Sequence, residues 1–163
     1  MSLLYNYPLW IAVSAIFFAQ FVKVPLQFIM TKKLDWKLLT STGGMPSSHS
    51  AGVTALTTSV AMETGLDSIF FAISAVFAGI VMYDATGVRR QAGEHAAVLN
   101  RLRGDFQRMI TDFHAWQGRD QKQKQEEFTM LKELLGHKPA EVFFGCLTGI
   151  VWSIIIYTAF ELI

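Results

Sequence analysis

The chain has 163 residues, enough for one domain, and carries a formal net charge of +1. Hydrophobic residues make up 52%, charged residues only 17%, and the mean hydropathy is +0.33. That is too apolar for an ordinary soluble domain and points to membrane spans, with membrane lipid as a partner and no nucleic acid expected.

Pro8 to Met30 is the first apolar segment long enough to cross a bilayer, interrupted by Gln20, Lys23 and Pro25. Lys23 has two readings: it snorkels to the interface, or it faces the bundle interior as a paired or ligand-binding charge. Thr31 to Thr42 is a polar connection, with Trp36 suited to an interface. From about Pro46 to Glu63 a segment dominated by Ala, Gly, Ser and Thr predicts a helix too polar to face lipid on all sides, placed inside the bundle. After the acidic turn Glu63–Asp67, Ser68 to Tyr83 predicts the third span.

From Arg89 to Leu135 the chain turns polar, with apolar residues at steps of three and four from Val88 through Leu99, Leu102, Phe106 and Phe113 to Trp116. Gly118-Arg119-Asp120 marks a break, and Gln121 to Leu135 predicts a second polar helix. Mixed charges favour an exposed hairpin over a membrane-surface element. Gly136 to Pro139 is a stop and a new start, and Ala140 to Ile163 predicts the fourth span. Gly145 and Gly149 in that span mark close packing; they permit a homodimer and do not require one. Cys146 is the single cysteine, read as a small packing hydrophobe. Met1 to Gln20 lacks the basic start of a cleaved signal peptide.

The expected fold is therefore all-α: one polytopic membrane domain over residues 1–163, with about four spans and an extramembrane helical hairpin inserted over 89–135. All 14 Lys and Arg fall between Lys23 and Lys37 or between Arg89 and Lys138. The basic connections then share one side, expected to be cytoplasmic, and both termini lie on the other.

Chemistry concentrates at the basic ends of the spans. Thr42-Gly43-Gly44-Met45-Pro46-Ser47-Ser48-His49 reads as a loop opening a helix, with Pro46 suited to the first turn. Bare amides at a helix start form an anion site. Lys23, Arg89, Arg90, His137 and Glu141 come to the same side. Cations and amides suit a phosphoryl group, one histidine can attack phosphorus, and the other can protonate the leaving oxygen. Glu141, one helical turn after His137, can orient it. Asp84 either caps the break before Arg89 or holds Arg89 or Arg90. Taken on its own, the loop also reads as an ordinary Ser-capped helix with an incidental histidine.

These residues resemble motifs of the type 2 phosphatidic acid phosphatase superfamily, related to acid phosphatases and vanadium haloperoxidases, and nearly the whole chain resembles its divergent branch. Pro46-Ser47-Ser48-His49 is similar to Pro-Ser-x-His, with Ser48 where glycine is usual. His137-x3-Glu141 followed by Gly145 and Gly149 is similar to the His-x3-Asp motif, with Glu for Asp and with Arg89 or Arg90 as its arginine. Lys23 alone meets the first motif; no Arg-Pro follows it, leaving Lys32 or Lys33 as substitutes. A rival placement uses Arg89-x5-His95, making His95 the alternative nucleophile, but position 99 is Leu and the supporting acid is absent.

The resemblance implies a phosphatase of lipid or isoprenoid phosphates, with no cofactor or metal. His137 would form a phosphohistidine, Glu141 would orient it, and His49 would protonate the leaving group. Lys23, Ser47, Ser48 and Arg89 or Arg90 would hold the phosphoryl oxygens, with Asp84 and Pro46 in support. A non-catalytic protein binding anionic lipid or a partner helix is the alternative. A small transporter is a third reading, which four spans without repeats do not favour.

Overall fold

A computed structural model describes residues 3–32, 34, 36–40, 43–116, 131 and 135–161. Every regular element among them is helical: α1 (Tyr7–Thr31), α2 (Ser48–Thr64), α3 (Ile69–Thr86), α4 (Val88–Trp116) and α5 (Pro139–Ala159), with short 3-10 turns at Leu3–Tyr5 and Trp36–Thr40. The second arm expected over Gln121–Leu135, and the break before it, lie outside the described residues apart from Leu131 and Leu135.

Three helical stretches are long and apolar enough to cross a bilayer: α1, the α3–α4 run from Ile69 to Phe113, and α5. α2 is not among them. Its 17 residues reach about 26 Å, just short of a hydrocarbon core of about 30 Å, and its composition is small and hydroxylated. It is instead the helix the others surround, packed against α1, α3 and α5. The count of about four spans therefore resolves into three apolar helices and an enclosed fourth.

Packing explains this arrangement. The buried positions are small, with Ala15, Ala19, Ala51 and Ala55 fully covered, while Phe17, Phe21, Phe70 and Phe77 point outward. Such an inside-out distribution suits a bilayer, where burying apolar surface brings helices no advantage over lipid and close approach takes its place. A methyl group built on Gly52 would strike Ile16 of α1 at 2.6 Å, and one on Gly145 would strike the Ser47 carbonyl at 2.5 Å. At Gly149 it would run into the Ala51 carbonyl and the Thr54 hydroxyl. Gly145 and Gly149 thus pack within the chain, against α2, and do not offer a free face for a second copy.

Polar contacts follow the same seam. Thr54 donates to the Cys146 carbonyl (3.2 Å), Ser153 to the Ala55 carbonyl (3.0 Å), and the Tyr157 hydroxyl to Glu63 (2.8 Å). Hydrogen bonds between membrane helices contribute only about 0.6 kcal/mol each on average, so glycine contact sets the α2–α5 geometry and these bonds fix its register.

Helix boundaries refine the expected ones. Ser47, not Pro46, ends the loop: its hydroxyl accepts from the Ser50 N–H (3.3 Å) and caps α2, so Pro46 lies before the helix. α3, expected to end at Tyr83, runs to Thr86, and only Gly87, with ψ −95°, separates it from α4. Pro25 does not end α1, which continues to Thr31 and stops where Lys32 turns left-handed at φ 57°.

Candidate active site

α1 and α3 run toward the same end of the bundle that α2 and α5 start from, so Lys23, His49, Asp84 and His137 gather there. Two long-range backbone bonds fix the assembly. The Ser47 N–H donates to the Glu141 carbonyl (2.9 Å), joining the starts of α2 and α5. The His137 N–H donates to the Ala85 carbonyl (2.9 Å), joining α5's approach to the end of α3. Gly136, at φ 82°, lies against the backbone of Arg89 and Arg90, where any Cβ would collide.

His137 is the centre of the arrangement. It is 2% exposed, and its Nδ1 lies 3.0 Å from Glu141 Oε2. The same oxygen accepts from the Lys138 N–H (3.2 Å). An acceptor carboxylate fixes the proton on Nδ1 and leaves the Nε2 lone pair available. Nε2 is buried and has no hydrogen-bond partner among the described residues. An orphaned buried nitrogen costs stability, and such costs persist where a ligand or reaction uses the group. The His49 ring stands beside it, edge-on, with centroids 5.9 Å apart. His49 itself is exposed, in the first turn of α2.

A cavity of about 330 Å³ opens in front of the pair, within the range of small-molecule sites. Its polar lining comes from His49, Asp84, Arg89 and His137, and its apolar wall from Ile80, Val81 and Leu135. Ile80 is 62% exposed on the outer face of α3. The other side of His137 forms part of a second groove of about 400 Å³, reached by Gly43, Gly44, Arg90, Glu94 and Lys138.

The remaining expected residues divide between these surroundings. Arg89 lines the cavity of the two histidines, and its Nε donates to Asp84, so Asp84 holds this arginine. Arg90 turns to the second groove and pairs with Glu94 at 3.0 Å. Lys23 faces inward, 1% exposed, with Nζ donating to the Gly43 carbonyl beneath the glycine turn (3.1 Å). Ser47 departs from the expected phosphate-binding role: its N–H and hydroxyl are both engaged, leaving the N–H groups of Ser48 and His49 as the ones without a protein partner among the described residues. Pro46 is buried at the loop's end. His95 is exposed and lines neither cavity, because the α4 residues that turn toward the second groove are Arg90, Gly93, Glu94 and Ala97. Lys32 is exposed at the end of α1, and Lys33 lies outside the described residues. The apolar wall of the cavity was not anticipated; the run Ile80-Val81 beside Asp84 was its only sequence signal.

Fold and site together define an all-helical integral membrane protein with a histidine pair and an arginine at one end of its bundle. The chain belongs to the Divergent PAP2 family, which it matches over residues 4–152. It is 58% identical over 156 residues to the uncharacterized membrane protein YuiD of Bacillus subtilis (strain 168), covering 96% of this chain and 97% of that protein. No solved structure matches it.

Proposed function

We propose that the protein is an integral-membrane phosphatase that hydrolyses a lipid or isoprenoid phosphate, monoester or diphosphate. The observation that carries this reading is His137: a buried imidazole held through Nδ1 by Glu141, with an Nε2 that has no partner among the described residues beside the ring of His49. A nucleophile aimed by an acid, next to a second proton carrier, is the equipment of covalent phosphoryl transfer.

In the first step Nε2 of His137 attacks phosphorus. An N–P bond forms, the P–O bond to the leaving group breaks, and His49 in its protonated form delivers a proton to the departing alkoxide or phosphate. In the second step His49 takes a proton from water as that water attacks phosphorus. The N–P bond breaks, releasing inorganic phosphate and restoring both histidines. Arg89, held by Asp84, and the free N–H groups of Ser48 and His49 offset charge on the phosphoryl oxygens. Lys23 adds positive potential from below the glycine turn. Glu141 is a positioning residue that also fixes the tautomer.

Substrate class follows from the cavity wall. Ile80 and Val81 belong to a helix whose exposed face is Ile, Phe and Val, so a bound alcohol can keep its chain in the bilayer while its phosphate reaches the histidines. The distribution of Lys and Arg supports a cytoplasmic position for this end of the bundle, with the Gly65 turn outside.

The test uses purified protein in detergent and a panel of phosphatidic acid, phosphatidylglycerol phosphate and polyprenyl diphosphates. Phosphate release by the native chain is expected to disappear in His137→Ala and to fall by about 10²–10⁴-fold in His49→Ala. Release no greater than in the two variants overturns the reading and leaves anionic-lipid binding in its place.

A further inference from the structure

Gly136 stands directly before His137 and does more than turn the chain. Three described glycines have positive φ: Gly44 at 92°, Gly65 at 86° and Gly136 at 82°. Among the described residues, a Cβ on Gly44 would meet nothing closer than Lys23 Cδ at 3.8 Å, and one on Gly65 would meet only the Asp67 side chain. A Cβ on Gly136 would strike main chain: the Arg89 carbonyl carbon and the Arg90 Cα, both at 2.6 Å, and the Arg90 nitrogen. Its φ alone asks for glycine or asparagine; the contact admits glycine only.

The atoms it meets belong to the joint that carries the site. Gly87 is tied into the two helices it separates: its N–H donates to the Tyr83 carbonyl (2.9 Å), and its carbonyl accepts from the Gln91 N–H (3.0 Å). On one side of Gly87 the Ala85 carbonyl accepts from the His137 N–H (2.9 Å), and on the other the Arg89–Arg90 peptide receives Gly136. The backbone of His137 is thus seated on the same short stretch that carries Arg89, and the two side chains line one cavity.

We propose that Gly136 is a positioning residue that sets the spacing between the His137 ring and the Arg89 guanidinium, an inference that rests on the phosphatase reading. In the first step Arg89 holds phosphoryl oxygens while Nε2 attacks phosphorus, so the fit of the turn against the joint fixes the distance of attack. With a Cβ at 136 the turn must withdraw from 2.6 Å to the 3.4 Å of ordinary contact, about 0.8 Å. The Ser47 N–H, bonded to the Glu141 carbonyl, still holds the start of α5 to α2, so the gap opens on the α4 side. A misplacement of about 1 Å costs on the order of 10²-fold in rate.

The experiment measures kcat and KM of the purified full chain on the lipid phosphate it hydrolyses best, with thermal unfolding as the check of folding. It compares the native protein with Gly136→Ala, Gly136→Asn, Arg89→Ala and the double variant Arg89→Ala/Gly136→Ala. In Gly136→Ala kcat is expected to fall by about 10²-fold with KM within about threefold. Asparagine tolerates positive φ and carries the same Cβ, so Gly136→Asn is expected to be as slow, and it stands in if Gly136→Ala does not fold. Without the arginine this spacing no longer matters, so Gly136→Ala is expected to cost less than about tenfold in the Arg89→Ala background. Activity restored in Gly136→Asn overturns the proposal in favour of a turn that needs only its φ. Losses that multiply in the double variant, or failure of both 136 variants to fold, overturn it in favour of a purely structural glycine. An active native chain with unaffected 136 variants removes this inference alone, whereas a native chain that releases no phosphate removes the functional reading and this inference with it.

Discussion

At the residue scale, the pair His137–Glu141 couples structure to chemistry. Glu141 Oε2 receives both the His137 ring and the Lys138 N–H, so the carboxylate serves the tautomer and the helix start at once. These duties can be separated by substitution. Glu141→Gln puts one amide group in place of the carboxylate: with its oxygen at the Oε2 position it keeps the Nδ1–H and Lys138 N–H contacts, but the charge that stabilises the imidazolium formed on attack is lost. Phosphate release is expected to fall by up to about 10⁴-fold, the scale of replacing the acid of a hydrolase triad by its amide, with thermal unfolding nearly unchanged. Retained activity in Glu141→Gln would show that His137 does not depend on this acid. The helical spacing of these residues is visible in the sequence, because an i, i+4 contact is local. The burial of Nε2 without a partner among the described residues is not, since burial depends on what packs from elsewhere.

At the element scale, glycine decides where α2 and α5 meet. Gly145→Ala and Gly149→Ala each place a methyl group on the backbone of α2 and are expected to destabilise the protein by about 1–3 kcal/mol, read from thermal unfolding in detergent. Gly79 and Gly104 are the controls. Among the described residues nothing lies within 4 Å of a Cβ at either, so alanine there should be neutral or add up to about 1 kcal/mol through helix propensity. Equal effects at all four positions would refute the packing argument. The Gly-x3-Gly step signalled close contact from the sequence, yet it did not name the partner. Tertiary structure turned it inward, against Ser47, Ala51 and Thr54, where the small residues of α2 admit the close approach.

At the scale of the whole molecule, topology gathers the candidate site at one end of the bundle, and its proposed cytoplasmic side is open to test. Asp67→Cys, in the exposed turn between α2 and α3, should label from outside intact cells, whereas Gly104→Cys on α4 should label only after the membrane is opened. The reverse pattern would put the site outside and overturn the cytoplasmic assignment. The fold also places an apolar cavity wall next to a charged end, which suits a substrate with one part in lipid and one in water.

By itself the sequence determined the helical class, the membrane habit and the candidate residues, because amphipathic period, charge distribution and short motifs are local and survive without a third dimension. Only the tertiary structure decided that Lys23 turns inward, that Arg89 and not Arg90 shares the cavity with the histidines, that Ser47 is occupied as a cap and tie, and that α2 is enclosed by three apolar helices. Each of those outcomes depends on which backbones can approach each other, and that is set by the fit of glycines on one helix against small side chains on another.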